Sequence, residues 1–160
     1  MDDERKFAIV HLYISPGHNF VGHHGKPPGE NPAIEVQEIH CVAGKGIEGD
    51  RYFDHKENYK GQITFFEWEM YESLVHACEV LDKPPSVFRR NVITRGVDLN
   101  SLIGKKFEVQ GVEFEGAEEC KPCYWMDRAF GPTAEWRLRG HGGLRARILT
   151  DGTLRVEKSK

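Results

Sequence analysis

The residues with the widest chemical reach in this 160-residue chain are Cys120-Lys121-Pro122-Cys123, followed by Tyr124-Trp125-Met126-Asp127-Arg128-Ala129-Phe130. The pattern predicts a short helix over Tyr124 to Phe130, and Pro122 suits its first turn because the missing N–H has no partner there in any case. Cys123 then sits where free backbone N–H groups and the helix dipole favour its thiolate. A thiolate is both a nucleophile and a soft metal ligand, which prepares Cys123 for covalent or metal chemistry. Three other readings stay open. A dithiol switch uses the same two-residue spacing, although it normally follows an early strand in a βαβ unit. Structural zinc needs four ligands, of which this pair supplies two. Free cysteine is also often buried without chemistry, which is the expectation for Cys41 and Cys78.

Basic residues narrow the choice. Arg51 follows the glycine-rich run Gly44-Lys45-Gly46-Ile47-Glu48-Gly49-Asp50, Arg89 and Arg90 precede Asn91, and Arg145 and Arg147 alternate after Gly140-His141-Gly142-Gly143. Each guanidinium presents a rigid fork of donors that matches phosphate or carboxylate. Brought together, these loops make a small anion pocket near Cys123, with Asp50 orienting Arg51 and the Asn91 amide offered to a heterocyclic edge. Arg89, Arg137 and Arg139 are expected instead in exposed salt bridges. His55 and His141 are candidate proton carriers because imidazole titrates near neutrality, and Trp125 and Phe130 are candidates for an apolar wall beside a planar ligand. The glycine run lacks the order of a nucleotide phosphate loop.

These residues must be held by elements the pattern also predicts. Phe7 to Ile14 and Ile34 to Val42 read as strands, separated by a long loop rich in glycine, proline and histidine. Thr64 and Glu67 have the spacing of a capping box, and Phe66, Met70, Leu74, Ala77 and Leu81 form the stripe of a helix that Pro84-Pro85 stops. Asn91 to Thr94 is a strand, Leu99 to Gly104 a helical turn, and Phe107 to Phe114 a hairpin about Gly111. Arg145–Leu149 and Leu154–Glu157 flank Asp151-Gly152, the signal of a second hairpin. Short strands far outnumber long helices, so the pattern predicts a mostly β barrel with one main helix.

Composition bounds the function. Hydrophobic residues make up 39% and charged residues 29% of the chain, the balance of a globular protein. A formal net charge of −3 gives no field that would draw the chain to nucleic acid. Neither a signal peptide nor a membrane-spanning stretch is legible, so a cytoplasmic protein with reduced thiols is expected.

Taken in order, the strings Ile14-Ser15-Pro16-Gly17-His18-Asn19-Phe20, Val42 to Arg51, Gly61-Gln62-Ile63-Thr64, Arg90-Asn91-Val92, Gly96-Val97-Asp98-Leu99, Cys120-Lys121-Pro122-Cys123 and Gly140 to Ala146 resemble the MOSC domain family, named after the C-terminal domain of molybdenum-cofactor sulfurases. The resemblance implies a single domain over residues 1–160, a small mostly β MOSC-like barrel with one main helix and short helical turns. It also implies a molybdenum cofactor (molybdopterin), with Cys123 as metal ligand and catalytic residue or as carrier of transferable sulfur. Arg51 and Asn91 match positions around the pterin and its phosphate, and Gln62 and Arg147 match pocket-facing positions. His141 joins Cys123 as a candidate catalytic residue.

Two functions follow from the resemblance: a reductase of N-hydroxylated small molecules, or a carrier of sulfur or cofactor with a delivery partner. No flavin fingerprint or iron–sulfur spacing is present, so a reductase would draw electrons from another protein or a small reductant. No nucleic-acid or membrane partner is expected.

Overall fold

The computed structural model describes residues 7–16, 33–121, 130–131 and 133–157. In chain order its elements are β1 (Ala8–Ile14), β2 (Ile34–Val36), β3 (Glu38–Val42), β4 (Gly46–Ile47), β5 (Ile63–Glu67), α1 (Trp68–Cys78), β6 (Val92–Arg95), β7 (Lys106–Val109), β8 (Val112–Glu119), α2 (Ala134–Leu138), β9 (Leu144–Ile148) and β10 (Gly152–Arg155). Short 3-10 turns cover Pro85–Phe88 and Leu99–Leu102.

Alternation within the strands builds three layers. Seven strands form one mixed sheet in the order β2-β1-β6-β5-β9-β8-β7, and β10-β3-β4 form a second. On one face of the large sheet, Leu12, Phe65, Val92, Phe114 and Ala146 pack with Ile39, Cys41, Ile47 and Leu154 of the small sheet. On the other face Tyr13, Phe66 and Ile93 pack with Leu74 of α1 and Ala134 and Leu138 of α2. Adjacent residues therefore enter opposite cores, as the period of two requires. Phe65 and Phe66 are both essentially inaccessible, and each such side chain stabilises the fold by about 1.5–3 kcal/mol through burial.

The expected barrel is corrected: neither sheet closes. β2 and β7 lie at opposite edges of the large sheet, and the faces are covered by a second sheet and by helices. Short alternating strands carry the same pattern whether a sheet curls onto itself or is covered by another layer.

Three local expectations change as well. Thr64 is in β5, and α1 begins at Trp68 with no side-chain cap from Glu67. The Glu67 carboxylate accepts the Leu99 N–H at 3.0 Å instead, so the capping-box spacing serves a tertiary contact. Burial raises the Glu67 pKa, and the Leu99 hydrogen bond partly opposes that shift. The helix ends at Cys78 with Glu79 in the left-handed region, leaving Leu81 beyond it and 88% exposed. β9 and β10 do not pair as a hairpin: β9 lies between β5 and β8, while β10 pairs with β3. Asp151 turns the chain between sheets, its carboxylate accepting the Ala43 N–H at 2.7 Å.

The β5–β6 pair is parallel, with Phe65 opposite Val92 and Glu67 opposite Thr94. Parallel neighbours need a long crossover, which α1 and the Pro85–Phe88 turn provide. That crossover delivers Arg89 and Arg90 to the start of β6. Gln110-Gly111, both at positive φ, close the β7–β8 hairpin where the sequence predicts it.

Candidate anion-binding site

A cavity of about 400 Å³ opens where the β5, β6, β8 and β9 strands meet the turn carrying Arg51. Strand register builds its floor: Arg145 stands opposite Thr64 on one side and opposite Glu118 on the other, after a register shift between Gly116 and Glu118. The walls contribute five cationic side chains, Arg51, Arg89, Arg90, Lys121 and Arg145, against the two carboxylates Glu118 and Glu119. The cavity is thus positive in a chain whose formal net charge is negative.

The cations are held differently. Arg90 staples two loops, its Nε donating to the Gly142 carbonyl at 3.0 Å and its Nη1 to the Phe88 carbonyl at 2.9 Å. Arg145 donates from Nη1 to Glu118 at 2.6 Å and from Nη2 to the Tyr59 hydroxyl at 2.9 Å, and it lies over the Tyr59 ring. Arg51 lies over the Tyr52 ring at 4.6 Å and reaches the Asp50 carboxylate only at 3.8 Å. Arg89 is buried with φ +58°, and its pKa is lowered to about 10, first by burial and then by the like charge of Arg51. The like charge of Arg51 is partly offset by Asp50 and Tyr52, and an anion bound in the cavity would offset it further.

Asp50 organises this wall from behind. Its buried carboxylate accepts the Ser15 N–H at 2.9 Å, the Asn91 side-chain amide at 3.3 Å and the Tyr52 N–H at 3.4 Å. The Arg51 N–H donates to the Ser15 carbonyl at 2.7 Å, which fixes the start of the side chain. The three nearby glycines serve this return of the chain; none of them lines the cavity.

Of the residues the sequence singles out, Arg51 lines the cavity. Asn91 is buried behind it, with Oδ1 accepting both the Thr64 N–H at 2.9 Å and the Thr64 hydroxyl at 3.1 Å, while its NH₂ donates to the Tyr13 carbonyl at 3.2 Å and to Asp50. Gln62 is buried as well, its Oε1 accepting the Ile148 N–H at 2.8 Å. Arg147 is two residues beyond Arg145, pairing with Glu115 at 3.7 Å and the Asn58 carbonyl at 3.4 Å. His141 is exposed on the loop after α2 and is not in the cavity wall. Cys123 and Trp125 lie outside the described residues. Phe130 packs in the helix-side core, 5.2 Å from Phe88, so the ligand-wall expectation for it is corrected.

The expectation of an exposed salt bridge for Arg89 is corrected, because it is buried and lines the cavity; Arg145, named among the pocket's basic residues, lines it too, and sequence reasoning missed Glu118. The adjacent pair Arg89-Arg90 at the end of the crossover is the usable signal, since both side chains line the cavity. Cys120 also lines the cavity; it is buried, and desolvation raises its thiol pKa although Arg90 and Arg145 oppose that shift.

Comparison with known proteins places this geometry. The MOSC domain profile matches residues 29–159. The chain belongs to the MOSC domain family. No curated protein matches this MOSC chain. Among solved structures it is similar to the YuaD protein from Bacillus subtilis, with 19% identity, a TM-score of 0.69, and coverage of 94% of this chain and 92% of that one. It is also similar to YiiM from Geobacillus stearothermophilus, with 13% identity, a TM-score of 0.66 and coverage of 93% and 71%. For YiiM from Escherichia coli the values are 18%, 0.59, 93% and 71%. At these identities the likeness is one of fold.

The family implies a pterin-linked molybdenum cofactor, and the residues fit one part of it. The Arg51–Arg89 pair suits a phosphate; the amides of Asn91 and Gln62 are engaged inside the protein. No group of three or more His, Cys, Asp or Glu side chains able to hold a metal occurs among the described residues. The molybdenum and oxidoreductase expectation has no support among the described residues, whose cavity is basic and holds no such group; Cys123, the expected metal ligand, lies outside them. No helix among the described residues is long and apolar enough to cross a membrane.

Proposed function

We propose that this MOSC chain binds the phosphate end of a small anionic cofactor in the basic cavity, and that the cofactor is the phosphate-bearing pterin to which the sequence resemblance points. The observation that carries the reading is the buried Arg89 facing Arg51, two like charges on one wall with fewer carboxylates than cations around them. Arg51 and Arg89 would hold the phosphate, Arg90 and Asp50 fix the loops, and Cys123 is the thiolate reserved for the metal end. When bound, such a group supplies two-electron chemistry at its metal; the chain's own residues bind and orient its anionic end. The reductase and carrier readings share this step.

Protein purified from cells that make the cofactor is expected to contain near-stoichiometric molybdenum and pterin, both lost in Cys123→Ser and Arg89→Gln. Absence of both from intact wild-type protein, together with no saturable binding of inorganic phosphate by calorimetry, overturns the proposal. Reductant-dependent loss of an N-hydroxylated compound marks the reductase reading; a sulfur adduct on Cys123 in the intact mass marks the carrier reading.

A further inference from the structure

Arg145 lies on the cavity floor but its guanidinium is already engaged. Glu118 Oε2 accepts from its Nη1 at 2.6 Å, and the Tyr59 hydroxyl accepts from its Nη2 at 2.9 Å. Glu118 is itself positioned by the register shift after Gly116, which sets it opposite Arg145 on the neighbouring strand. Its other oxygen takes Lys60 Nζ at 3.5 Å. The carboxylate lines the same cavity as the arginines and is 40% exposed, so it can swing into solvent without leaving a buried charge behind. An anion entering the cavity meets Arg51 and Arg89 directly, but takes the Nη1 donor of Arg145 by displacing Glu118.

We propose that Glu118 is a built-in competitor for the cavity's anionic ligand, a residue that limits affinity by occupying Arg145. The inference rests on the anion-binding reading above. It goes further in assigning Arg145 two alternative partners and Glu118 a role in selecting ligands charged enough to displace it. A carboxylate that swaps with a ligand weakens binding by the strength of the contact it gives up and does so only while Arg145 is present, whereas one acting through the cavity's general field would weaken binding with or without Arg145.

The test is calorimetric titration with inorganic phosphate at fixed ionic strength. Glu118→Gln keeps the shape and removes the charge, and is expected to bind phosphate about tenfold more tightly than wild type. Glu118→Asp, which shortens the reach to Arg145, is expected to move affinity in the same direction by less. In Arg145→Gln the gain from Glu118→Gln should disappear, because the coupling between the two residues is then absent. Unchanged or weaker binding in folded Glu118→Gln overturns the inference. So does a gain that persists in the double variant, since that reports only the general field of the cavity. If wild type and all variants fail to bind phosphate saturably, the anion-binding reading itself is overturned, an outcome distinct from either of these.

Discussion

A guanidinium buried beside another guanidinium is held charged against its surroundings, and Arg89 is such a group. Its pKa is lowered to about 10 by burial and by Arg51, so below that pH the folded state carries a charge it holds less readily than the unfolded chain does. The sign follows: stability from this group rises only as pH climbs above about 10, and at neutral pH a bound anion adds to the compensation from Asp50 and Tyr52. Inorganic phosphate at ten times its Kd is therefore expected to stabilise the protein by about 1.4 kcal/mol, a rise of roughly 3–5 °C in Tm by thermal unfolding. Arg89→Gln should abolish the rise. Arg51→Lys preserves charge but loses the fork, and is expected to weaken phosphate about tenfold to a hundredfold while the protein still folds. A second prediction concerns Cys41, whose thiol burial pushes up to about 12 from an ordinary value of 9.0. The folded state keeps this proton while the unfolded chain loses it, so the contribution is full below pH 9 and is lost as pH rises towards 12. Over that window the slope of unfolding free energy with pH, read from urea melts, should be less negative in Cys41→Ala by up to about 1.4 kcal/mol per pH unit.

At the scale of elements, the cavity depends on how closely β9 can approach β5. Gly143 has φ +112°, and a Cβ there would collide with the Phe65 carbonyl. Its own carbonyl accepts the Cys120 N–H at 2.8 Å, which ties the end of β8 to the start of β9 beside the cavity. Gly143→Ala is expected to destabilise by about 3 kcal/mol or more in urea unfolding, and to reduce the phosphate-induced Tm shift because Cys120 and Arg145 move with the backbone. The sequence marks Gly140 to Gly143 as a site loop, but the reason for glycine at 143 is the carbonyl of Phe65 on β5, far back in the chain, which no local pattern records. Likewise the hairpin signal at Asp151-Gly152 is locally sound, but the Asp151 carboxylate accepts the Ala43 N–H and β10 pairs with β3 in the other sheet.

For the whole molecule, β5 joins the two cores through adjacent residues, Phe65 facing the small sheet and Phe66 facing the helices. Cooperative unfolding of both layers is the expected consequence. Phe65→Leu and Phe66→Leu should each lower stability by about 1–3 kcal/mol while far-ultraviolet circular dichroism and tryptophan fluorescence still report one coincident urea transition. Separate transitions would mean that the helix layer unfolds apart from the sheets. By itself the sequence determined the family, through the ordered strings from Ile14 to Ala146, and most strand positions, because the period of two survives any tertiary arrangement. It also marked Arg51 and the neighbourhood of Asn91. Only tertiary structure decided that the sheets stay open, since closure depends on which edges pair, and that Asn91 and Gln62 serve the interior. It also decided that Arg89 and Arg145, rather than Arg147, face the cavity. Those assignments come from strand register and from the crossover that ends at β6, which bring together residues far apart in the chain whose types alone do not say which way they face.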